Sequence, residues 1–322
     1  MTPLETLPLF THYPPVTRLG MGCWAIGGHG WGVVDDNESI RAVNCALEKG
    51  ITFFDTADAY GLGKSETLLA KILGKKRHSA IIATKGGVKW DECGKVWTDI
   101  SPASLRESLE NSLRRLQLDT IPLYYIHKPD NITCVKESVA ALQRLQQEGK
   151  IISIGLANFS PEQLLEALEL APIKAIQIRL NLLERHVLEL YETICREHDV
   201  WLVAWGALAD GLLTGKFDKS AVFGPDDHRS RMPDFVGERF YCNLDCVEQL
   251  AQFAAERGVP LNQLALRWVL DASDRTLPLF GAKTDRQVGE NVSAAQWRLS
   301  SDDIMVINTI VDTVRRNHGL LD

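Results

Sequence analysis

The sequence predicts an α/β fold in which eight parallel strands and their helices close into a single (β/α)8 barrel of the TIM type, with a long insert between strands 7 and 8 and a C-terminal helix. Three observations lead there. Short apolar runs rich in Val, Ile and aromatic residues recur along the chain, and each is followed by a turn signal and an amphipathic helical stretch. There are eight such runs. Strand and helix alternating in this way imply right-handed parallel crossovers, and the count of eight favours closure over an open doubly wound sheet.

The strands are expected at 19–23 (LGMGC), 51–55 (ITFFD), 80–84 (AIIAT), 123–127 (LYYIH), 152–156 (ISIGL), 175–179 (AIQIR), 201–205 (WLVAW) and 277–280 (LPLF). Ser101-Pro102 and Ser160-Pro161 place a hydroxyl N-cap before a proline in the first helical position, and Gln163 completes a capping box with Ser160. Gly50, Gly74 and Gly149 follow apolar-periodic segments, where a left-handed C-cap is needed. Between the last two strands lie a Gly/Pro/charged segment, Phe223 to Glu238, and two helical stretches, Leu244–Arg257 and Leu261–Asp271. An insert at that point reads as a loop covering a ligand. The stretch before residue 17 is too short for a domain and no Pro- or Ser-rich linker divides the rest, so residues 1–322 are expected to form one domain.

Composition removes several function classes. With 45% hydrophobic and 24% charged residues the chain is neither disordered nor of low complexity. Thirty-five Lys and Arg against 42 Asp and Glu give a net charge of −7 without a long basic run, which disfavours binding to a nucleic-acid backbone. No apolar stretch is long enough to span a membrane, and MTPLETLPLF lacks the basic and apolar regions of a signal peptide, so a cytoplasmic protein with no membrane partner is expected. Seven scattered cysteines (Cys23, Cys45, Cys93, Cys134, Cys195, Cys242, Cys246) without CxxC read as reduced thiols rather than a metal or disulfide framework. GxGxxG, HExxH and GxSxG are absent, and the segment ending in Gly63-Lys64-Ser65 has Asp58 where a phosphate loop needs Gly.

In a barrel, chemistry sits at the C-terminal strand ends. The second strand ends in Asp55, the third in Lys85 and the fourth in His127, while the loop after the second carries Tyr60. Singly these read as an N-cap, a surface charge and a scaffold histidine; together they suit reduction of a carbonyl. A phenol with a pKa near 10 is a poor proton donor unless a cation lies beside it. Lys85 would supply that charge, Asp55 would hold the ammonium, and His127 would direct the carbonyl oxygen towards Tyr60. No side chain donates hydride, so a nicotinamide cofactor is implied.

These residues lie in motifs that resemble the aldo-keto reductase superfamily from about Arg18 to about Thr313: GMGCW (20–24), FFDTADAYGLGKSE (53–66), IIATKGG (81–87), LYYIHKPD (123–130), GKIISIGLANFSPEQ (149–163), GLLTGK (211–216), HRSRMPDF (228–235) and GAKTDRQVGEN (281–291). The resemblance implies that Asp55, Tyr60, Lys85 and His127 are the catalytic tetrad, with Tyr60 the general acid. It implies a nicotinamide dinucleotide bound across the barrel mouth without a Rossmann motif, with Gly22, Cys23, Trp24 and Asp55 beside it. Asn158 and Gln177 match the positions holding the carboxamide, Trp205 the aromatic against the ring, and Gly206, Leu208 and Lys216 the pyrophosphate site. Arg231 matches a lid residue, and Gly281, Lys283, Gln287, Glu290 and Asn291 the adenosine end. Lys283 or Arg286 facing a 2′-phosphate favours NADPH over NADH.

This sequence departs from the family pattern at four places: Ala157 replaces the usual Ser before Asn158, Gly206-Ala207 the usual Ser-Pro, Lys128 the usual Trp after the catalytic His, and Pro122 the usual Asp. Trp24, Trp31, Trp90 and Trp97, after the first and third strands, are expected either to line an aromatic substrate mouth or to pack as core. The function so implied is NADPH-dependent reduction of a small aldehyde or ketone. The same site run backwards would be an NAD(P)+-dependent sugar or alcohol dehydrogenase, and a cofactor-binding regulatory subunit resembling potassium-channel beta subunits is the non-enzymatic alternative.

Overall fold

A computed structural model describes residues 3–320 apart from 8, 11–12, 29–33, 92 and 94. Trp31 therefore lies outside the described residues. Eight parallel strands close into a barrel in chain order: β1 (Gly20–Gly22), β2 (Phe53–Asp55), β3 (Ile81–Gly86), β4 (Ile121–Ile126), β5 (Ile151–Ala157), β6 (Ile173–Arg179), β7 (Trp201–Trp205) and β8 (Thr276–Gly281). Closure is made by β8 on β1, with Gly281 opposite Gly22. Around the barrel run α1 (Asp36–Glu48), α2 (Lys64–Leu73), α3 (Pro102–Leu116), α4 (Val135–Gln147), α5 (Pro161–Leu168), α6 (His186–Glu197), α7 (Gly237–Glu256), α8 (Leu261–Ala272), α9 (Asp285–Val292) and the C-terminal α10 (Ser301–Asn317).

Two apolar cores follow from the period of two along each strand. Phe53, Ile81, Ala83, Leu123, Tyr125, Ala157, Ala175, Val203, Leu277 and Leu279 fill the barrel, together with Leu9, Phe10 and Val16 from the N-terminal segment. Val16 belongs to a short hairpin, Thr6–Leu7 with Val16–Thr17. The alternate residues, among them Met21, Phe54, Ile82, Tyr124 and Ile176, pack outwards against the helices.

The expected local signals are mostly present, with corrections. The Ser160 hydroxyl accepts from the Gln163 backbone and completes the capping box. Gly50, Gly74 and Gly149 all have positive φ. Ser101 makes no side-chain cap; its own N–H instead donates to Asp99 Oδ1 at 3.0 Å. Strand β4 begins at Ile121, two residues earlier than expected, and so contains Pro122. Its ladder to β3 starts only at Leu123, so the missing N–H of Pro122 lies ahead of that pairing. In the insert, α7 starts at Gly237 rather than Leu244, and the segment before it forms two 3-10 turns, His228–Arg231 and Pro233–Phe235. After β3 an unforeseen hairpin pairs Val88–Trp90 with Val96–Thr98. Among the described residues no helix is long and apolar enough to cross a membrane.

Candidate active site

Strand parity decides which side chains reach the barrel mouth. Phe53 points into the barrel core, so Asp55 does too, and the same step of two carries Ile81 and Ala83 to Lys85, Leu123 and Tyr125 to His127, Ala175 to Gln177, and Val203 to Trp205. Gly155 makes room for this layer, since a Cβ there would stand 2.4 Å from the Tyr125 ring. The inward polar residues thus form a layer just above an apolar one.

Tyr60 arrives from the loop between β2 and α2. Ser65 ties this loop down: its hydroxyl donates to Cys23 O at 2.9 Å and lies 2.9 Å from Thr56 Oγ1. Fully buried Glu66 accepts from Thr84 Oγ1 on β3 and from Arg115 Nε on α3, both at 2.6 Å, linking the loop to the strand that bears Lys85. The one-turn helix Trp24–Gly27 packs so closely on this loop that a Cβ on Gly27 would lie 2.9 Å from the Tyr60 carbonyl carbon.

Asp55, Tyr60, Lys85 and His127 converge at this point. Lys85 Nζ donates to Asp55 Oδ1 at 2.6 Å, to Thr56 O at 2.9 Å and to the Tyr60 hydroxyl at 3.2 Å. Gln177 Nε2 donates to the other Asp55 oxygen at 2.7 Å. The rings of Tyr60 and His127 meet edge to face, 5.9 Å between centroids. Burial opposes the Lys85 charge, but Asp55 and Tyr60 outweigh it and hold the ammonium above the usual lysine range. Burial also lifts the Tyr60 hydroxyl above the usual tyrosine range, with Lys85 pulling the other way. For His127, burial and then the charges of Lys85 and Lys128 keep the imidazole well below its usual range, hence neutral at pH 7. A neutral phenol beside an ammonium, facing a neutral imidazole, can protonate an oxygen anion and can polarise a carbonyl.

From this centre a cleft of about 350 Å³ runs across the mouth towards α9. Gly22, Trp24, Asp55, Tyr60, Trp205, Gly206 and Leu208 line its inner part, and Lys216, Gly281, Lys283, Arg286, Gln287, Glu290 and Asn291 its outer part. Asn158 lies beside the cleft: its backbone is left-handed (φ 61°), its Nδ2 donates to His127 O at 3.0 Å, and its Oδ1 accepts from Trp205 Nε1 at 3.0 Å. Besides Asn158, three expected cofactor residues do not line the cleft. Cys23 is buried with its N–H on Asp55 O, Gln177 is buried against Asp55, and Arg231 donates to Pro225 O in the insert. Trp90 and Trp97 lie on the hairpin, outside the cleft lining, and Trp97 is exposed.

The outer cleft is cationic. Burial and then the charges of Arg229 and Lys283 depress Lys216, while Lys283 is depressed by burial and Arg229; Asp227 opposes both shifts. Mutual repulsion of this kind is relieved by an anion, so the donor set fits a pyrophosphate. Gly206 has φ 67° where the loop turns past Arg179.

Sequence reading missed Asp210 and Asn262 in the cleft wall. Asp210 sits in strained left-handed backbone (φ 53°), held by Arg179 Nη2 at 3.1 Å and by His228 Nε2 at 3.1 Å. The His228 ring, from the insert, also lies tilted against Trp24, centroids 4.8 Å apart, so a side-chain bridge spans the cleft from the end of β1 to the end of β7. Asn262 Nδ2 donates to Asn291 Oδ1 at 2.9 Å. The only available clue was the position of Asp210 next to GLLTGK. Among the described residues no cluster of three His, Cys, Asp or Glu could hold a metal ion.

Comparison with known proteins agrees with this geometry. Residues 18–312 match the Aldo/keto reductase family. The chain belongs to the aldo/keto reductase family. It is 38% identical over 299 residues to the aldo-keto reductase YhdN of Bacillus subtilis (strain 168), covering 92% of this chain and 90% of that one. It is 32% identical to the NADH-specific methylglyoxal reductase of Escherichia coli (strain K12), covering 97% and 100%. Among solved structures, the glycerol dehydrogenase AKR11B4 from Gluconobacter oxydans superposes with a TM-score of 0.87 at 37% identity, covering 99% of this chain and 96% of that one. As an aldo/keto reductase the protein is an oxidoreductase of carbonyl or alcohol substrates that works with a nicotinamide cofactor.

Proposed function

We propose that this aldo/keto reductase reduces a small aldehyde or ketone to the alcohol with NADPH, and that Tyr60 supplies the proton. The observation that carries the reading is the position of Lys85 Nζ, 2.6 Å from Asp55 and 3.2 Å from the Tyr60 hydroxyl. When bound, the nicotinamide cofactor supplies hydride to the carbonyl carbon. His127 hydrogen-bonds the carbonyl oxygen and keeps it within reach of Tyr60. Tyr60 gives its proton to that oxygen as the C=O π bond opens, and Lys85 stabilises the phenolate left behind. Asp55, braced by Gln177, keeps the ammonium charged and pointed at the phenol.

Trp205 and Asn158 would hold the nicotinamide, and Lys216 with Gly206 and Leu208 the pyrophosphate. Lys283 and Arg286 at the outer end support a 2′-phosphate, hence NADPH. The NADH-specific Escherichia coli relative makes the alternative concrete. The likeness to a glycerol dehydrogenase favours a second reading of the same site, oxidation of a polyol, in which Tyr60 begins as the base. Seven cysteines without paired spacing support placing the protein in the cytoplasm.

The test is titration of the purified protein with NADPH and NADH by fluorescence, followed by addition of aldehydes, diketones and polyols. Tighter NADPH binding with aldehyde-dependent oxidation is expected. Binding of neither nucleotide, or binding without turnover of any carbonyl or alcohol, would overturn the proposal.

A further inference from the structure

Asn158 stands directly after β5, yet its bonds reach the ends of three other strands. Its N–H donates to Gln177 O on β6 at 2.9 Å, its Nδ2 donates to His127 O after β4 at 3.0 Å, and its Oδ1 accepts from Trp205 Nε1 on β7 at 3.0 Å. Strand parity alone would send this side chain away from the mouth, since Ala157 before it belongs to the barrel core. The left-handed backbone at Asn158 (φ 61°) breaks that parity and turns the amide back over the strand ends. Asparagine is one of the few residues that adopts this conformation at low cost.

The amide has one possible orientation here. An indole N–H can only donate and a backbone carbonyl can only accept, so Oδ1 must face Trp205 and Nδ2 must face His127. One N–H and one lone pair of the amide remain, so the tie need not break when a ligand occupies the mouth. What it joins are the two groups that set the reaction geometry. His127 directs the carbonyl oxygen, and its backbone is held on the far side by its own N–H on Gly86 O at 3.0 Å. Trp205 lines the cleft, with the Arg179 guanidinium 5.7 Å from its ring centroid. Gln177, the other residue that the resemblance places at the carboxamide, is buried with its Nε2 on Asp55. Both amides are thus committed to groups of the protein.

We propose that Asn158 is a positioning residue, which fixes the end of β4 at His127 against the Trp205 indole and so sets the approach of the nicotinamide to the carbonyl carbon, rather than a residue that binds the carboxamide. It holds the nicotinamide through Trp205. The inference rests on the oxidoreductase reading above. The two roles predict different losses. A carboxamide contact contributes to cofactor affinity, whereas a small shift between hydride donor and acceptor slows the chemical step with little change in binding.

Asn158→Ala and Asn158→Asp test it, with 4-nitrobenzaldehyde as substrate. The readouts are NADPH affinity by fluorescence, kcat with its primary isotope effect from deuterated NADPH, and the Trp205 indole N–H signal of the unliganded protein labelled with nitrogen-15 tryptophan. Absence from Trp205→Phe identifies that signal. In Asn158→Ala, kcat is expected to fall by about ten-fold and the isotope effect to rise, while NADPH affinity stays within about three-fold. The indole N–H should lose its partner, so that its signal moves and it exchanges faster with solvent. Asn158→Asp keeps the acceptor for the indole but sets a carboxylate against His127 O, so the indole signal should stay while kcat still falls. NADPH weakened by about ten-fold or more, with kcat retained at saturation, would assign Asn158 to the carboxamide and overturn the proposal. An indole signal that Asn158→Ala leaves unmoved overturns it as well. Both results leave the oxidoreductase reading intact, whereas wild type that binds NADPH but turns over no carbonyl or alcohol overturns that reading and this one together.

Discussion

Lys85 Nζ donates to Asp55 Oδ1 at 2.6 Å, and both side chains are almost wholly buried. Removing one member of such a pair leaves a dry, uncompensated charge, which costs about 3–5 kcal/mol, whereas removing both leaves only apolar or neutral groups. Lys85→Met is accordingly expected to lower unfolding stability by that amount, and Lys85→Met/Asp55→Asn by clearly less than the sum of the single changes. Urea unfolding of the four proteins measures this. Additive losses would show that the two side chains are not coupled.

The proton donor can be isolated. Tyr60→Phe removes the hydroxyl that Lys85 contacts and leaves the outer cleft untouched, so kcat is expected to fall by about 10²–10⁴-fold while NADPH affinity stays within roughly two-fold. Retained turnover would exclude Tyr60 as the acid.

Direction of catalysis sets the response to pH. Reduction uses the neutral phenol, and burial keeps Tyr60 neutral past the usual tyrosine value of about 10, so phenol is present throughout the physiological range. Reduction is therefore expected to show no inflection near pH 6.5 either, because His127 stays neutral there. Oxidation needs the phenolate and should still be rising at pH 10. A bell-shaped profile for reduction centred on an imidazole value would contradict this assignment.

Lys283→Ala separates the two nucleotides. If the ammonium faces a 2′-phosphate, NADPH should weaken by about ten-fold or more and NADH by less than about two-fold. Equal losses would assign Lys283 to a part common to both.

Asp58, between Asp55 and Tyr60 in sequence, is buried; that burial, and then Glu66, raise its carboxyl to about 8, with Arg115 pulling the other way. A carboxyl whose pKa is higher folded than unfolded binds its proton more tightly in the native state. Stability is therefore lost as pH rises from about 4, the unfolded value, through about 8, the folded one. Asp58→Asn cannot ionise and should be the more stable protein above pH 8, by about 1 kcal/mol or more, with the gap closing in mild acid. Thermal melts across that range will show it; parallel curves for the two proteins would place the ionisation elsewhere.

What sequence made legible was whatever repeats or sits in register. The step of two along each strand and the eight-fold alternation locate Asp55, Lys85 and His127 at one rim before any coordinates. The bridge of Trp24, His228, Asp210 and Arg179 was invisible, because its members are far apart in sequence and share no period. The Val88–Thr98 hairpin was missed for a different reason: Gly86-Gly87 and the polar stretch 91–95 read as loop, and two three-residue strands are too short to show a clear alternation. Pro122 hid the start of β4, since a proline fits there only because its missing N–H comes before the pairing with β3 begins at Leu123, although the ladder to β5 already begins at Ile121.

The backbone contact between Gly27 and Tyr60 also bears on how such a protein can diversify. Neither Gly27 nor Gly61 has room for a side chain, so the turn carrying Trp24 and the loop carrying the proton donor fit as one interlocked block. Variation that reshaped this block to admit a new substrate would also displace the phenol. Change in substrate range is thereby directed away from this block, to the neighbouring Val88–Thr98 hairpin after β3 and the loop after β4.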